Sequence, residues 1–377
     1  MRIVRIKDID DSKEFLETLE GKNINFLIGA GASMPYLKTL SLGNKPFTFE
    51  DVFDESHSGN YDQKVLDYLS AYFLHNSLSK GTYASISKDD TENAKEVKEN
   101  YMNFIECIST ILSRNSIQQP KRANIFTTNY DMFFEFAFDE VASKNSFVTF
   151  NDGSCGFVNK TISTERFHRK VLTVGVENHY ENELPMMNII KLHGSLSWFI
   201  ESEQIRVKND ISLNDGFSKE QCSELEKIKE FSKAENKYEM IENIEKEVKD
   251  KFSNSFSRLS KIAIVKPTKF KFSETVFQEH YYQMLRVYSQ ELEKKQSVLI
   301  VFGYSFADEH VRSITKRALS NPTLLMYIIC YDETNLDSFN SIFQSYPNVI
   351  ILVNSINKDS KGDFTFINTL LRGNWDE

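Results

Sequence analysis

Six short, largely apolar runs punctuate the chain: Ile24 to Ile28, Ala123 to Phe126, Met187 to Leu192, Val298 to Phe302, Leu324 to Cys330, and Val349 to Val353. They are continuous rather than alternating, the pattern of strands buried on both faces of a sheet. Segments of helical periodicity separate them, and parallel neighbours require such crossovers. The pattern predicts an α/β fold, a Rossmann-like doubly wound parallel sheet. In such sheets ligands sit beyond the carboxyl ends of the strands.

About 90 residues separate the first two runs, too many for one crossover. Asp62 to Leu78 and Glu92 to Leu112 carry apolar residues at helical spacing, among them Val65, Leu69 and Phe73, then Val97, Tyr101, Phe104 and Ile108. This predicts a helical insertion over 45–115 (from about Pro46) that covers the ligand. A second, charged insertion is expected over 201–257. Glu201 to Lys251 holds 14 acidic and 10 basic residues, with an amphipathic stripe at Ile241, Ile244, Val248 and Phe252. It reads as one or two solvated helices whose apolar face could dock a second subunit. With no internal repeat and no Pro- or Gly-rich linker, 1–377 reads as a single domain carrying both insertions.

Composition narrows the function. A formal charge of −9 argues against a general nucleic-acid binder, which needs clustered Lys and Arg. The four cysteines, Cys107, Cys155, Cys222 and Cys330, form no CxxC pair, so neither a zinc ribbon nor a disulfide framework is expected. The N-terminus lacks a signal-peptide h-region, and no stretch reaches ~18 uninterrupted apolar residues. A cytoplasmic protein without membrane contact is the expectation.

Candidate chemistry sits at the strand ends. The first run leads into Gly29-Ala30-Gly31-Ala32-Ser33, where glycines let backbone N–H groups approach a pyrophosphate and a helix could begin at Ser33. A tight turn without ligand reads equally well, since the usual third glycine is absent. The second run ends in Thr127-Thr128-Asn129-Tyr130-Asp131, amides, hydroxyls and a carboxylate where a ligand is expected, although Asn129 or Asp131 could equally do no more than cap the next helix. The third ends in Leu192-His193-Gly194-Ser195, with a His able to act as base and donor near neutral pH. The fourth ends in Gly303-Tyr304-Ser305-Phe306-Ala307-Asp308-Glu309-His310, in which Asp308 suits the cap of the next helix.

Taken in order, GAGAS, TTNYD, LHGS and GYSFADEH resemble the sirtuin family, specifically its bacterial anti-phage branch. The resemblance covers roughly residues 15–35, 120–135, 185–200 and 295–355. It implies that Gly29, Ala30, Gly31 and Ser33 cradle the NAD phosphates, and that Asn129 and Asp131 lie near the nicotinamide ribose and carboxamide. It further implies that His193 is the general base, and that Gly303 and Ser305 contact the adenosine half. Thr128 joins them as a candidate cofactor contact at the second strand end. The catalytic pair would be Asn129 and His193.

Three features depart from the deacylases of the family. The zinc module of two CxxC pairs is missing, so no metal site is expected. Ile264 to Lys269 poorly matches an acyl-lysine groove segment. Met34 and Pro35 stand where an arginine is expected. The reading is therefore an NAD glycohydrolase, with NAD as substrate and water as acceptor, depleting NAD in anti-phage defence. The alternatives are a non-catalytic NAD- or ADP-ribose-binding scaffold and, less well supported, a protein deacylase. A homo-oligomer is expected, and the resemblance allows a HerA-type hexameric ATPase as partner.

Overall fold

The computed structural model describes all residues except 9–11, 38–41, 43–46, 60, 117, 145–147, 176–180, 211–212, 214–216, 250, 267–274, 358–359 and 374–377. The start of the expected helical insertion at 45–46 and the end of the 264–269 segment thus lie outside the described residues.

An eight-stranded, wholly parallel sheet forms the body. In chain order its strands are β1 (Arg2–Ile6), β2 (Asn23–Ile28), β3 (Arg122–Thr127), β4 (Thr149–Asn151), β5 (Met186–Lys191), β6 (Ser297–Phe302), β7 (Leu325–Cys330) and β8 (Val349–Asn354). Across the sheet the order is β1-β8-β7-β6-β2-β3-β5-β4. All six predicted strands are present, and helices flank the sheet as the α/β pattern requires. The chain builds outward from β2 in both directions, so its switch point lies between β2 and β6, where a crevice is expected.

Successive residues of β2 enter opposite cores. Phe26 meets Phe104 of the helix Glu92–Arg114, with ring centroids 5.0 Å apart. Leu27 joins the other core, where Phe126 meets Tyr288 of the helix Thr275–Glu293 at 4.9 Å. Burial on both faces explains why these strands are continuously apolar.

One polar row crosses this apolar body. Asn25, Asn124, Asn188 and Asn151 lie in mutual register on β2, β3, β5 and β4. Asn151 donates to Asn188 (2.9 Å), Asn188 to Asn124 (2.8 Å) and Asn124 to Asn25 (2.9 Å). Asn25 then donates to the Val298 carbonyl of β6 at 3.3 Å.

Between β2 and β3 stand the helices Phe49–Ser58, Gln63–Tyr72, Tyr83–Lys88 and Glu92–Arg114. The first is closed by a capping box between Thr48 and Asp51.

Three expectations are corrected. The glycine loop does not start an α-helix at Ser33: Ala30–Ser33 is a single 3₁₀ turn, and Met34 leaves it extended. The second insertion begins as a hairpin, Gly194–Glu201 paired with Gln204–Val207, because Ile205 and Val207 alternate with polar residues. Its stripe is not an open docking face, since Ile241, Ile244, Val248 and Phe252 are all buried. Phe252 packs edge-on against Tyr68 at 5.4 Å, and Lys237 pairs with Glu55, so the two insertions cover each other.

Candidate functional site

Four adjacent strands, β6-β2-β3-β5, deliver the four motifs to one end of the sheet. Loop meets loop at the switch point. Gly31 N–H donates to the Gly303 carbonyl (3.0 Å) and Gly29 N–H to that of Phe302 (3.0 Å). A Cβ on Gly29 would lie 2.5 Å from the Gly303 oxygen, and one on Gly31 would lie 2.8 Å from the Gly303 Cα. Gly303 itself has φ +60°, a conformation that costs most other residues ~1–2 kcal/mol. These glycines are therefore required by the contact between the two loops. Ala30 and Gly31 remain exposed on its outer side, as does Ser305.

Behind the loop lies a buried polar cluster. Ser33 donates to Asp131 Oδ2 (2.7 Å) and shares a 2.9 Å hydrogen bond with Tyr101. Asn129 Nδ2 reaches the Gly29 carbonyl (3.1 Å) and Ser33 Oγ (3.2 Å). The other oxygen of Asp131 accepts from Phe133 N–H, at the start of the helix Phe133–Ala142. Both Asp131 oxygens are thus engaged within the protein. Burial pushes its carboxyl up, against the opposing charge of Lys191. Lys191, on β5, is fully enclosed: it donates to the Asp131 carbonyl and to Ser195 Oγ, and pairs with Glu135 at 2.7 Å.

Asn129 is 6% exposed, and its Oδ1 has no partner among the described residues. A buried acceptor left open costs ~1–3 kcal/mol, so such an atom calls for a hydroxyl, an amine or water. It is an open acceptor within the strand-end cluster.

Thr127 of β3 pairs with Lys191 of β5, so Asn129 and His193 leave neighbouring strands two residues beyond a shared register. His193 Nε2 meets Asp308 Oδ2 at 3.0 Å, with the two side chains 14% and 6% exposed. Asp308 Oδ1 accepts from the N–H groups of His310 (2.8 Å) and Val311 (3.1 Å), capping the helix Glu309–Ala318. One carboxylate therefore closes a helix and orients an imidazole. An ionised carboxylate only accepts, so it selects the tautomer with hydrogen on Nε2 and leaves Nδ1 as the acceptor.

The structure brings Gly29, Ser33, Asn129 and Asp131 into one cluster and sets His193 beside it with Asp308. Thr128 stands at the end of β3, half-buried, its N–H donating to the Ile28 carbonyl at 3.2 Å. Sequence reasoning missed two participants. Asp308 was read only as a cap, and Tyr101 only as part of an apolar helix face. The insertion carries Tyr101 into the cluster, where its ring stacks on Phe133 at 5.1 Å and burial raises its phenol. The available signals were the second carboxylate oxygen of Asp308 and the one hydroxyl of Tyr101 on an otherwise apolar helix face.

No helix among the described residues is long and apolar enough to cross a membrane. Residues 123–346, more than half of the chain, match the family model of the SIR2-like domain. The match takes in Asn129, His193 and Asp308 and begins after the glycine loop. No curated protein matches the chain.

Proposed function

The chain belongs to the SIR2-like domain family, whose members bind NAD, and from that premise we propose that it is an NAD glycohydrolase. It breaks the nicotinamide–ribose bond and transfers ADP-ribose to water. The observation that carries this reading is the open Oδ1 of buried Asn129, at the end of the strand next to the one that leads to His193, whose imidazole a carboxylate orients.

Bound NAD supplies the scissile bond and a leaving group, nicotinamide, that departs neutral. Asn129 Oδ1 accepts a hydrogen bond from a ribose hydroxyl or from the attacking water, while Nδ2 stays anchored on Gly29 and Ser33. His193 takes the proton that water or hydroxyl loses, a role that typically contributes ~10²–10⁴-fold. Asp308 steadies the imidazolium so formed. Asp131 and Tyr101 act at one remove by fixing Ser33. The Gly29–Ser33 loop and the exposed edge at Ser305 are the candidate contacts for the phosphates and the adenosine half.

The cellular role we propose is NAD depletion in bacterial anti-phage defence, by a homo-oligomer held in check by a partner such as a HerA-type ATPase. An enzyme that destroys a central cofactor needs an off state. The decisive experiment is incubation of the purified chain with NAD while nicotinamide and ADP-ribose are followed chromatographically. Equal release of both supports hydrolysis. Absence of nicotinamide release, in the chain alone and with its oligomeric state and partner varied, refutes it.

A further inference from the structure

A cavity of 480 Å³ lies between the helices Thr275–Glu293 and Glu309–Ala318, and no residue of the strand-end cluster lines it. Its walls combine Tyr282, Arg286, Ser289, His310, Ile314 and Arg317. Glu293 is the one acid among the lining residues, set 3.6 Å from Arg317, which also donates to Ser289 at 2.6 Å. Arg286 has no carboxylate partner among the described residues. On a chain of net charge −9, a groove with two guanidiniums against one carboxylate is a local reversal of sign. Guanidinium forks match phosphate geometry, while Tyr282 and Ile314 offer a flat apolar wall beside them. The volume is that of a small-molecule site.

The groove also adjoins two neighbours of His193, Asp308 and Tyr281. His310 lines it, and the His310 N–H is held by Asp308, whose other oxygen holds His193. Tyr282 lines it too. Its ring centroid lies 5.9 Å from that of Tyr281, which stands 6.4 Å from the imidazole.

We propose that this groove is a second ligand site, for a phosphate-bearing mononucleotide, and that its occupancy is transmitted to His193 through Asp308 and Tyr281. The phosphate pairs with Arg286 and Arg317, and the base lies against Tyr282. Binding here does not depend on whether the strand-end site cleaves NAD.

The test uses the full chain and uridine 5′-monophosphate, a pyrimidine nucleotide chosen to avoid an adenine subsite. Titration calorimetry should give saturable binding with Kd below ~1 mM. The double variant R286Q/R317Q should weaken it at least about tenfold, and Asn129→Ala should leave it unchanged. Ser313→Asp places a carboxylate in the groove and serves as an independent variant, with the same expected loss. The His193 imidazole resonances should move on titration of the parent and stay still in R286Q/R317Q. No saturable heat, unaltered binding in both groove variants, or loss in Asn129→Ala overturns the site. Binding without movement of the imidazole overturns the transmission. None of these readouts requires NAD cleavage, so failure here and failure of the hydrolase assignment are told apart.

Discussion

Replacing Asp308 separates two jobs that one side chain performs. Asn at this position keeps Oδ1, and Asn and Asp cap helices about equally well. The N–H groups of His310 and Val311 therefore stay satisfied, and stability should change by no more than a few tenths of a kcal/mol. Ala removes the cap, at about 1 kcal/mol. Spread over the unfolding entropy of 377 residues, that lowers Tm by only about 1–2 °C. The catalytic consequence is far larger. Both variants lose the acceptor that fixes hydrogen on His193 Nε2, and the amide of Asn can donate and favour the opposite tautomer. Losing a general base of ~10²–10⁴-fold corresponds to about 2.7–5.5 kcal/mol of barrier. Because Asp308 acts through His193, kcat should carry the loss while KM for NAD stays near parental. Nicotinamide release at saturating and limiting NAD, paired with thermal and denaturant melts, reads both quantities. Asp308→Asn turning over at the parental rate, or losing as much stability as Asp308→Ala, would refute this division of labour.

Other expectations follow from the same geometry. Asn129→Ala and His193→Ala should each lower NAD cleavage at least about 100-fold in protein that still melts cooperatively, with wild-type-like turnover in either sinking the assignment. Activity should be indifferent to chelators, and metal analysis should find no stoichiometric zinc, because Cys107 and Cys330 are buried singly and no two cysteines share a motif. Acid should destabilise the fold through His280, whose pKa burial lowers to about 4 and whose Nε2 has no partner among the described residues. Below pH 6.5 the unfolded chain takes up a proton that the folded one refuses until about 4. That costs about 1.4 kcal/mol per pH unit, so unfolding free energies from denaturant melts at pH 7 and pH 5 should diverge by about 2 kcal/mol more in the parent than in His280→Phe. If the proposed control by assembly holds, light scattering should show a homo-oligomer whose nicotinamide release changes several-fold when a HerA-type ATPase is added; a monomer active at one rate regardless of additions would place restraint elsewhere.

The central strands were legible because burial on both faces leaves an uninterrupted apolar run. The edge strands were not. Arg2–Ile6 is interrupted by arginines at its first and fourth positions and Thr149–Asn151 spans three residues, so neither imprints that pattern. The glycine loop was legible as a turn, but the reason for its glycines was not, since the atoms they avoid belong to Gly303 and Tyr304. Likewise the stripe at Ile241 to Phe252 announced an apolar face without naming its partner, which turned out to include Tyr68 of the same chain. Local periodicity records that a face is covered. Which face covers it is settled by contacts far apart in sequence.

The row of asparagines bears on how so large an insertion can sit between two central strands. Parallel strands of Ile, Leu, Val and Phe would pair almost as well one step out of register, and apolar packing alone discriminates weakly. Here a slip or an exchange of neighbours strands a buried amide, at ~1–3 kcal/mol for each one left open. Lengthening the connection between β2 and β3 is cheap by comparison, at about 0.6 kcal/mol for each doubling of its length. The address of each strand is thus written inside the strand, at Asn25, Asn124, Asn188 and Asn151, and not in the loops that join them. The connections are left open to diversify, and the helical segment between β2 and β3 can be remodelled over evolutionary time while the strand ends it overlies keep their places.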